Sequence, residues 1–361
     1  MTVVIAGGGT GGHLYPGLAV ARALVARVPE AQVSFAGTAR GLEARVVPLE
    51  GFPLDLIRSA GLKGKSAVVR LRGAALIPVG LVDAWRLLSR RRPHVVVGVG
   101  GYSSGPVVLL ASLRGMATMV LEQNAVPGLT NRWLAPFVKA AAVTYDGTLA
   151  HFRGKGFVAG NPVRPEFMQA ADRGPEAPHP PRVLVIGGSQ GSHALNVAMT
   201  AAAPALVQRC PGVEIVHQTG SRDHEWAREQ YRAAGIPARA AAFFDAVAQQ
   251  MRAADVVVSR AGATTLAELA ALGRPAILVP FPNATDNHQH RNAQVLVDLG
   301  AAMLIDERTL AGAGGPSRLA DAIAGLLTDA ARRRAMGSAM RSVARPEAAA
   351  TIVSRILELA A

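Results

Sequence analysis

A chain of 361 residues, half of them hydrophobic, is too long for one open α/β domain and too apolar for a disordered one; at about 150 residues per domain it divides into two. Its formal charge of +13, from 38 basic against 25 acidic side chains, points toward anionic partners such as phosphates, acidic lipid or nucleic acid. The single cysteine, Cys210, excludes an intramolecular disulfide and a Cys-based zinc site, and fits a reducing compartment.

The N-terminus enters an apolar run, Thr2 to Ala6, without the basic stretch and small-residue cleavage site of an export signal. Short β-rich apolar runs then alternate with longer Ala/Leu/Arg patterns, the spacing of βα units on a parallel sheet. Strands are predicted at Val3–Ala6, Gln32–Ala36, His94–Val99, Thr118–Leu121 and Ala141–Thr144. The first helix is read from Leu14, Leu18, Ala21, Val25 and Val28, one apolar stripe with Arg22 and Arg27 on the other face. Arg58, Lys63, Lys65, Arg70 and Arg72 gather beside the uncharged stretch Gly73–Val82, which carries Pro78 and is too short to span a bilayer. That cluster fits a solvated basic loop beside a core helix, or a peripheral contact with an anionic membrane.

A composition break at Ala170–Pro181 gathers Pro175, Pro178, Pro180 and Pro181 and reads as a linker. The pattern restarts with Arg182–Ile186, a glycine loop, and a helix from about His193. Later strands are expected at Glu214–Gln218, Asp255–Ser259 and Ala276–Val279, and a helical tail at Glu347–Leu359. Both halves open with strand, glycine loop and helix, so two open α/β domains are the simplest architecture.

Gly7-Gly8-Gly9-Thr10-Gly11-Gly12-His13 lies between a strand and a helix, where residues without side chains let backbone N–H groups face a ligand. It contains the dinucleotide pattern Gly7-x-Gly9-x-x-Gly12, yet the second strand ends in Gly37-Thr38-Ala39-Arg40, without the acid that holds a ribose. NAD is therefore disfavoured, and Arg40 leaves NADP formally open. A second loop, Gly98 to Pro106, and the cluster Glu122-Gln123-Asn124 follow further strands, at the sheet edge where ligands bind. In the second half Ser189 and Gln190 precede a helix, and Ser259 to Glu268 repeats the strand-to-helix logic. Thr265 and Glu268 also fit a helix-capping box. No Asp-x-Asp pair occurs, and His288 with His290 lacks further ligands, so no metal is expected and helix termini and arginine would neutralise a diphosphate.

Taken in order, Gly9 to Gly17, Gly100 to Pro106, Glu122-Gln123-Asn124, Gly160-Asn161-Pro162-Val163-Arg164, Gly187 to Gly191, Arg260 to Thr265 and Gln289 to Asn292 resemble the undecaprenyl-diphospho-muramoylpentapeptide N-acetylglucosaminyltransferases, which convert lipid I to lipid II. The resemblance implies an α/β GT-B fold: two Rossmann-like parallel-sheet domains facing a cleft. Residues 1–163 would form the acceptor and membrane-side domain, joined by a returning helix at about 347–361, and residues 164–345 the UDP-sugar domain. Carried over by position, Thr10, Gly11, Gly12 and Asn124 resemble sugar or acceptor-side contacts, and Arg164 and Ser189 diphosphate-side contacts. Ala263, Thr264, Thr265, Leu266, Ala267 and Glu268, with Gln289, resemble the part that holds phosphate, ribose and sugar. Phe244 falls where the family pairs backbone groups with the uracil edge. The match departs at Asp286-Asn287-His288.

The expected activity is inverting transfer of N-acetylglucosamine from UDP-N-acetylglucosamine to the muramyl 4-hydroxyl of lipid I, without a cofactor, at the cytoplasmic face of the membrane. His13, at a helix N-terminus that keeps its ring neutral, is the candidate base, with Glu122 as rival or partner. Alternatives are another UDP-sugar enzyme of this fold, such as a UDP-N-acetylglucosamine 2-epimerase or a transferase to a different lipid, or a non-catalytic nucleotide-binding or nucleic-acid-binding protein. The last lacks any recognition helix, zinc finger or stacking motif, so no nucleic-acid partner is expected.

Overall fold

Runs such as Val95–Val97 and Val256–Val258 are buried on both faces, as strands of a helix-covered parallel sheet must be. The computed structural model describes residues 1–59, 67–171, 179–188, 190–312 and 314–361, with side chains left aside at 67–75 and 77. Ser189, Lys63, Lys65 and most of the Pro-rich segment lie outside the described residues, as do the side chains of Arg70 and Arg72.

The chain divides into two units, Met1–Arg164 with Arg345–Ala361, and Pro165–Ala344. The first contains β1 (Thr2–Gly7), α1 (Gly11–Arg27), β2 (Gln32–Gly37), α2 (Glu43–Leu49), β3 (Leu54–Leu56), α3 (Ala67–Arg91), β4 (Val95–Gly100), α4 (Ser104–Leu113), β5 (Ala117–Glu122), α5 (Leu129–Leu134), β6 (Ala140–Val143) and β7 (Gly156–Val158). The second contains α6 (Pro165–Ala171), β8 (Arg182–Ile186), α7 (His193–Arg209), β9 (Glu214–Gln218), α8 (His224–Ala233), β10 (Ala238–Ala241), α9 (Val247–Ala253), β11 (Val256–Ser259), α10 (Ala263–Leu272), β12 (Ala276–Leu278), α11 (His288–Asp298), β13 (Ala302–Leu304), α12 (Gly315–Thr328) and α13 (Ala330–Ser342). The last helix, α14 (Ala348–Ala360), belongs to the first unit.

Among the described residues the strands form parallel sheets of seven, in the order β3-β2-β1-β4-β5-β6-β7, and of six, in the order β10-β9-β8-β11-β12-β13. In register, Ile5 stands between Phe35 and Val97, and Val185 between His217 and Val258. One face of the first sheet packs on α1 through Leu14, Leu18 and Leu24, and α14 seals the same core with Ile352, Val353 and Ile356. Arg27 Nη1 donates to Ser354 Oγ at 2.7 Å across that helix pair. The other face is covered by Leu87, Leu88, Val107 and Phe152.

Every core strand lies where the apolar runs place it. The sequence reading omits β3, β7, β10 and β13, which are the edge strands of the two sheets and only three or four residues long. The Pro-rich stretch is not the junction between units. It lies inside the second unit between α6 and β8, because α6 already packs on α9 and α10; the changeover falls at Arg164.

Strand order reverses between β1 and β4 in one sheet and between β8 and β11 in the other. At such switch points the chain leaves neighbouring strands in opposite directions, opening a crevice at their carboxyl ends. The glycine loops of the sequence issue from these strands.

Candidate active site

In the first unit the loops after β1 and β4 interlock backbone to backbone. A Cβ on Gly101 would stand 2.6 Å from the Gly8 carbonyl oxygen, and one on Gly7 would collide with the Gly100 carbonyl, so only glycine permits this approach. Part of the glycine signal is therefore packing between loops. The His13 ring lies on the same junction, where a Cβ on Gly100 would meet its Cδ2 at 2.7 Å. Thr10 is the N-cap of α1 with an extended backbone, and its hydroxyl makes no cap hydrogen bond. The start of α1 thus lacks a side-chain cap from Thr10, and Gly9 and Thr10 are exposed. Tyr15 packs on Gly11, and the Arg164 guanidinium lies over the Tyr15 ring at 4.8 Å. Thr10, Gly11, Gly12, His13 and Arg164 are thereby gathered at one end of the first sheet.

Glu122 ends β5 and is only 3% exposed. Its Oε1 accepts from the Asn124 backbone N–H at 3.0 Å and the Asn124 amide at 3.1 Å, and its Oε2 from the Gly128 N–H at 2.9 Å and Asn131 Nδ2 at 2.8 Å. Burial pushes its carboxyl above the ordinary range, while the hydrogen bonds from Asn124, Asn131 and Gly128 oppose that rise. Both oxygens serve to fold the loop that presents Asn124. Gln123, equally buried, donates to the Val99 carbonyl at 3.2 Å and ties this loop to the one after β4.

The second unit repeats the interlock between the loops after β8 and β9, where a Cβ on Gly220 would stand 2.7 Å from the Gly191 Cα. Ser192 caps α7 by accepting from the Leu195 N–H, and Arg260 Nη2 donates to Ser192 Oγ at 2.5 Å. Arg260 also donates to the Val279 carbonyl at 3.0 Å and pairs with Glu307, so it joins the loops after β8, β11 and β12. α10 begins at Ala263 with Gly262 as N-cap and no side-chain cap. That start overturns the capping-box reading: Thr265 and Glu268 already lie within the helix, too far along to be the cap pair. Ala263, Leu266 and Glu268 face inward, while Thr264, Thr265 and Ala267 are partly exposed at the uncapped end.

Gln218 bridges two parts of this region, its amide donating to the Gly188 carbonyl and its Oε1 accepting from the Phe244 N–H, each at 3.4 Å. Gln289 Oε1 accepts from the Phe281 N–H at 2.9 Å, which fixes α11 to the segment after β12. Asp286 and Asn287, where the family match departs, hold left-handed φ of 53° and 54° just before that helix. Beneath the glycine loop, His217 donates from Nε2 to Asn196 Oδ1 and accepts from the Tyr231 hydroxyl, at 3.0 and 2.8 Å. Burial pushes the His217 ring down to about 3. The sequence reading assigned no role to Gln218, Arg260, Asn196 or His217, because each acts through backbone or side-chain partners distant in sequence.

Among the described residues no group of three His, Cys, Asp or Glu side chains could hold a metal ion, and no helix is long and apolar enough to cross a membrane. Arg58, counted above in the basic cluster, is held in a two-pronged pair with Asp83 of α3, at 2.7 and 2.9 Å, so its charge is compensated.

Two parallel-sheet units with glycine loops at both switch points are the architecture of nucleotide-binding α/β proteins, and the comparisons with known proteins narrow this to a glycosyltransferase of the GT-B class. Residues 3–143 match the glycosyltransferase family 28 N-terminal domain, and residues 182–352 match the glycosyltransferase family 28 C-terminal domain. The chain is 48% identical over 361 residues to the UDP-N-acetylglucosamine--N-acetylmuramyl-(pentapeptide) pyrophosphoryl-undecaprenol N-acetylglucosamine transferase of Anaeromyxobacter dehalogenans (strain 2CP-C), covering 99% of this chain and 93% of the relative. It is 43% identical to the protein of that name from Pelobacter propionicus, covering 99% of each. Among solved structures it is similar to Acinetobacter baumannii MurG, with a TM-score of 0.79 and 29% identity over 99% of both chains. The chain belongs to this family of N-acetylglucosamine transferases.

Proposed function

We propose that this protein transfers N-acetylglucosamine from UDP-N-acetylglucosamine to the muramyl 4-hydroxyl of lipid I, giving lipid II for peptidoglycan synthesis. The observation that carries the reading is the 48% identity, across 99% of the chain, to a relative named for this transfer. The same match disfavours an epimerase or a binding protein without catalysis.

The chemistry is an inverting displacement. The acceptor oxygen forms a bond to the anomeric carbon as the carbon–oxygen bond to UDP breaks on the opposite face, and the hydroxyl proton passes to a base. His13 fits that part, since its ring is partly exposed and stands at the junction of two glycine loops. Glu122 then acts by holding Asn124 for the acceptor sugar. The family match supports a donor site in the second unit: Ser189 and the uncapped start of α10 for its phosphates, the Phe244 backbone for the uracil, and the stretch Ala263 to Glu268 together with Gln289 for phosphate, ribose and sugar. Arg164, stacked on Tyr15, neutralises the diphosphate.

The acceptor lipid calls for peripheral attachment at the cytoplasmic membrane face. α4 packs against both α3 and α5, and this side of the first unit exposes Trp85, Leu113, Trp133 and Phe137, with Arg114 lying over Trp85 at 4.5 Å. Aromatic side chains beside arginine suit a headgroup layer.

The test is incubation of the purified protein with UDP-N-acetylglucosamine and lipid I, followed by mass spectrometry. The reading expects one added N-acetylhexosamine on the lipid. Conversion of the donor to its 2-epimer without acceptor would replace it with the epimerase reading.

A further inference from the structure

One buried carboxylate of the first unit has no part in the chemistry above. Glu43 opens α2 and is fully buried. Its Oε2 accepts the Gly9 N–H at 2.6 Å, and its Oε1 accepts the Thr38 N–H at 2.8 Å and the Thr38 hydroxyl at 2.9 Å. The side chain therefore clamps the loop after β1 to the loop after β2. The backbone is shaped around it: a Cβ on Gly8 would lie 2.5 Å from Oε2, and a Cβ on Gly37 or Gly41 would collide with the carboxylate arm.

Packing alone does not require a carboxylate here, since an apolar side chain of similar volume would fill the space without the cost of burying a charge. What the carboxylate adds is a pair of strong acceptors for backbone N–H groups. The neighbouring Gly8 is tied to the loop after β4, its N–H donating to the Gly100 carbonyl at 3.3 Å, and at Gly9 itself the anchor is the carboxylate. Gly9 has a φ of +85°, and a Cβ there would meet nothing within 4 Å among the described residues. From this turn the geometry passes to the reacting end. The His13 and Leu14 N–H groups donate to the Thr10 carbonyl at 3.2 and 3.1 Å, and His13 Nδ1 lies 3.4 Å from Thr10 Oγ1.

We propose that Glu43 is a positioning residue for the transfer reaction, fixing the Gly9–Thr10 turn and through it the His13 ring. The proposal rests on the acceptor-side role given to Thr10–His13 above. It also separates this loop from a dinucleotide site. There the acid beside the second strand reaches out to a ribose; here the acid turns inward and both oxygens are taken by the protein.

The experiment compares the full-length wild type with Glu43→Gln. The amide keeps the volume but sets an NH₂ against the N–H of Gly9 or of Thr38, so one anchor is lost. The expected result is a kcat for lipid I reduced about 10- to 100-fold, the scale of a misplaced catalytic group. UDP affinity by calorimetry and KM for UDP-N-acetylglucosamine should stay at wild-type values, which a general loosening of the fold would not spare. Amide exchange in segment 8–13 should quicken by at least about tenfold while β4 and β5 stay protected. Gly9→Ala, which strains the same turn from its open side, should lower kcat in the same way. Wild-type kcat or unchanged exchange of segment 8–13 in folded Glu43→Gln overturns the proposal. If that variant does not fold, wild-type kcat in Gly9→Ala overturns it. Should the wild type transfer nothing to lipid I, the functional reading falls by itself, and the exchange of segment 8–13 still decides whether Glu43 holds the turn.

Discussion

Glu122→Gln separates a base from an anchor. The wild-type carboxylate receives four hydrogen bonds, two on each oxygen, inside a site only 3% exposed. The amide is isosteric but keeps one oxygen, so its NH₂ confronts either the two Asn124 donors or those of Gly128 and Asn131. A buried donor left without an acceptor costs about 1–3 kcal/mol, and two give roughly 2–6 kcal/mol. Removing a buried charge returns part of this, because burial raises the Glu122 carboxyl. A net loss of about 3 kcal/mol would lower the melting temperature by about 6–12 °C for a unit of this size. The wild type carries a matching pH signature. A carboxyl raised in the folded state binds its proton more readily there than in the unfolded chain, so Glu122 lowers stability as pH climbs from the ordinary carboxylate range through its raised value. Glu122→Gln lacks that slope. Calorimetric melts of both proteins across this range, with transfer rates measured well below the variant's melting point, make the comparison. A variant that melts with the wild type yet has lost turnover would refute the anchor reasoning and return Glu122 to the role of base.

Arg164→Lys should raise KM for the donor or lower kcat by about tenfold or more, because a point charge replaces the planar fork and its stacking on Tyr15; unchanged donor kinetics would remove Arg164 from the diphosphate site. His217 is protonated in the unfolded chain below about 6.5 but stays neutral in the fold down to about 3, so folding stability is lost as pH falls, by about 2 kcal/mol between pH 6.5 and 5. His217→Gln should flatten that limb of a denaturant series by about one proton, and an unchanged slope would contradict the buried neutral ring. Vesicle sedimentation should show salt-sensitive binding to anionic but not neutral lipid, weakened when Lys63, Lys65 and Arg70 are reversed to Glu and when Trp133 is changed to Ser; equal binding to both vesicle types would defeat the membrane reading.

What the sequence disclosed follows from burial. Val95–Val97 sits between two layers of helix, so its whole run is apolar and can be read directly, whereas β7 at the sheet edge is only half buried and shows no such run. The glycine loops were legible because backbone approach leaves its mark in composition, as Gly7 against Gly100 and Gly191 against Gly220 show. Their cause was only half legible, since several of these glycines serve contacts between loops. Glu43 was missed for a physical reason as well. A dinucleotide pattern predicts an acid at the end of β2, from which a ribose is reached, whereas Glu43 is set on α2 and folds back under the loop. The Thr265–Glu268 pair misled because its spacing is that of a cap, although the helix had already begun at Ala263.

The most direct measurement of the central claim is the anomeric configuration of the product formed from UDP-N-acetylglucosamine and lipid I, read by proton NMR for the wild type and for His13→Ala. A new β-linkage to the muramyl 4-oxygen is expected from the α-linked donor, formed about 10²- to 10⁴-fold more slowly by His13→Ala with little change in its melting temperature. An α-linked product, attachment at another hydroxyl, or no sugar on the lipid at all would contradict it.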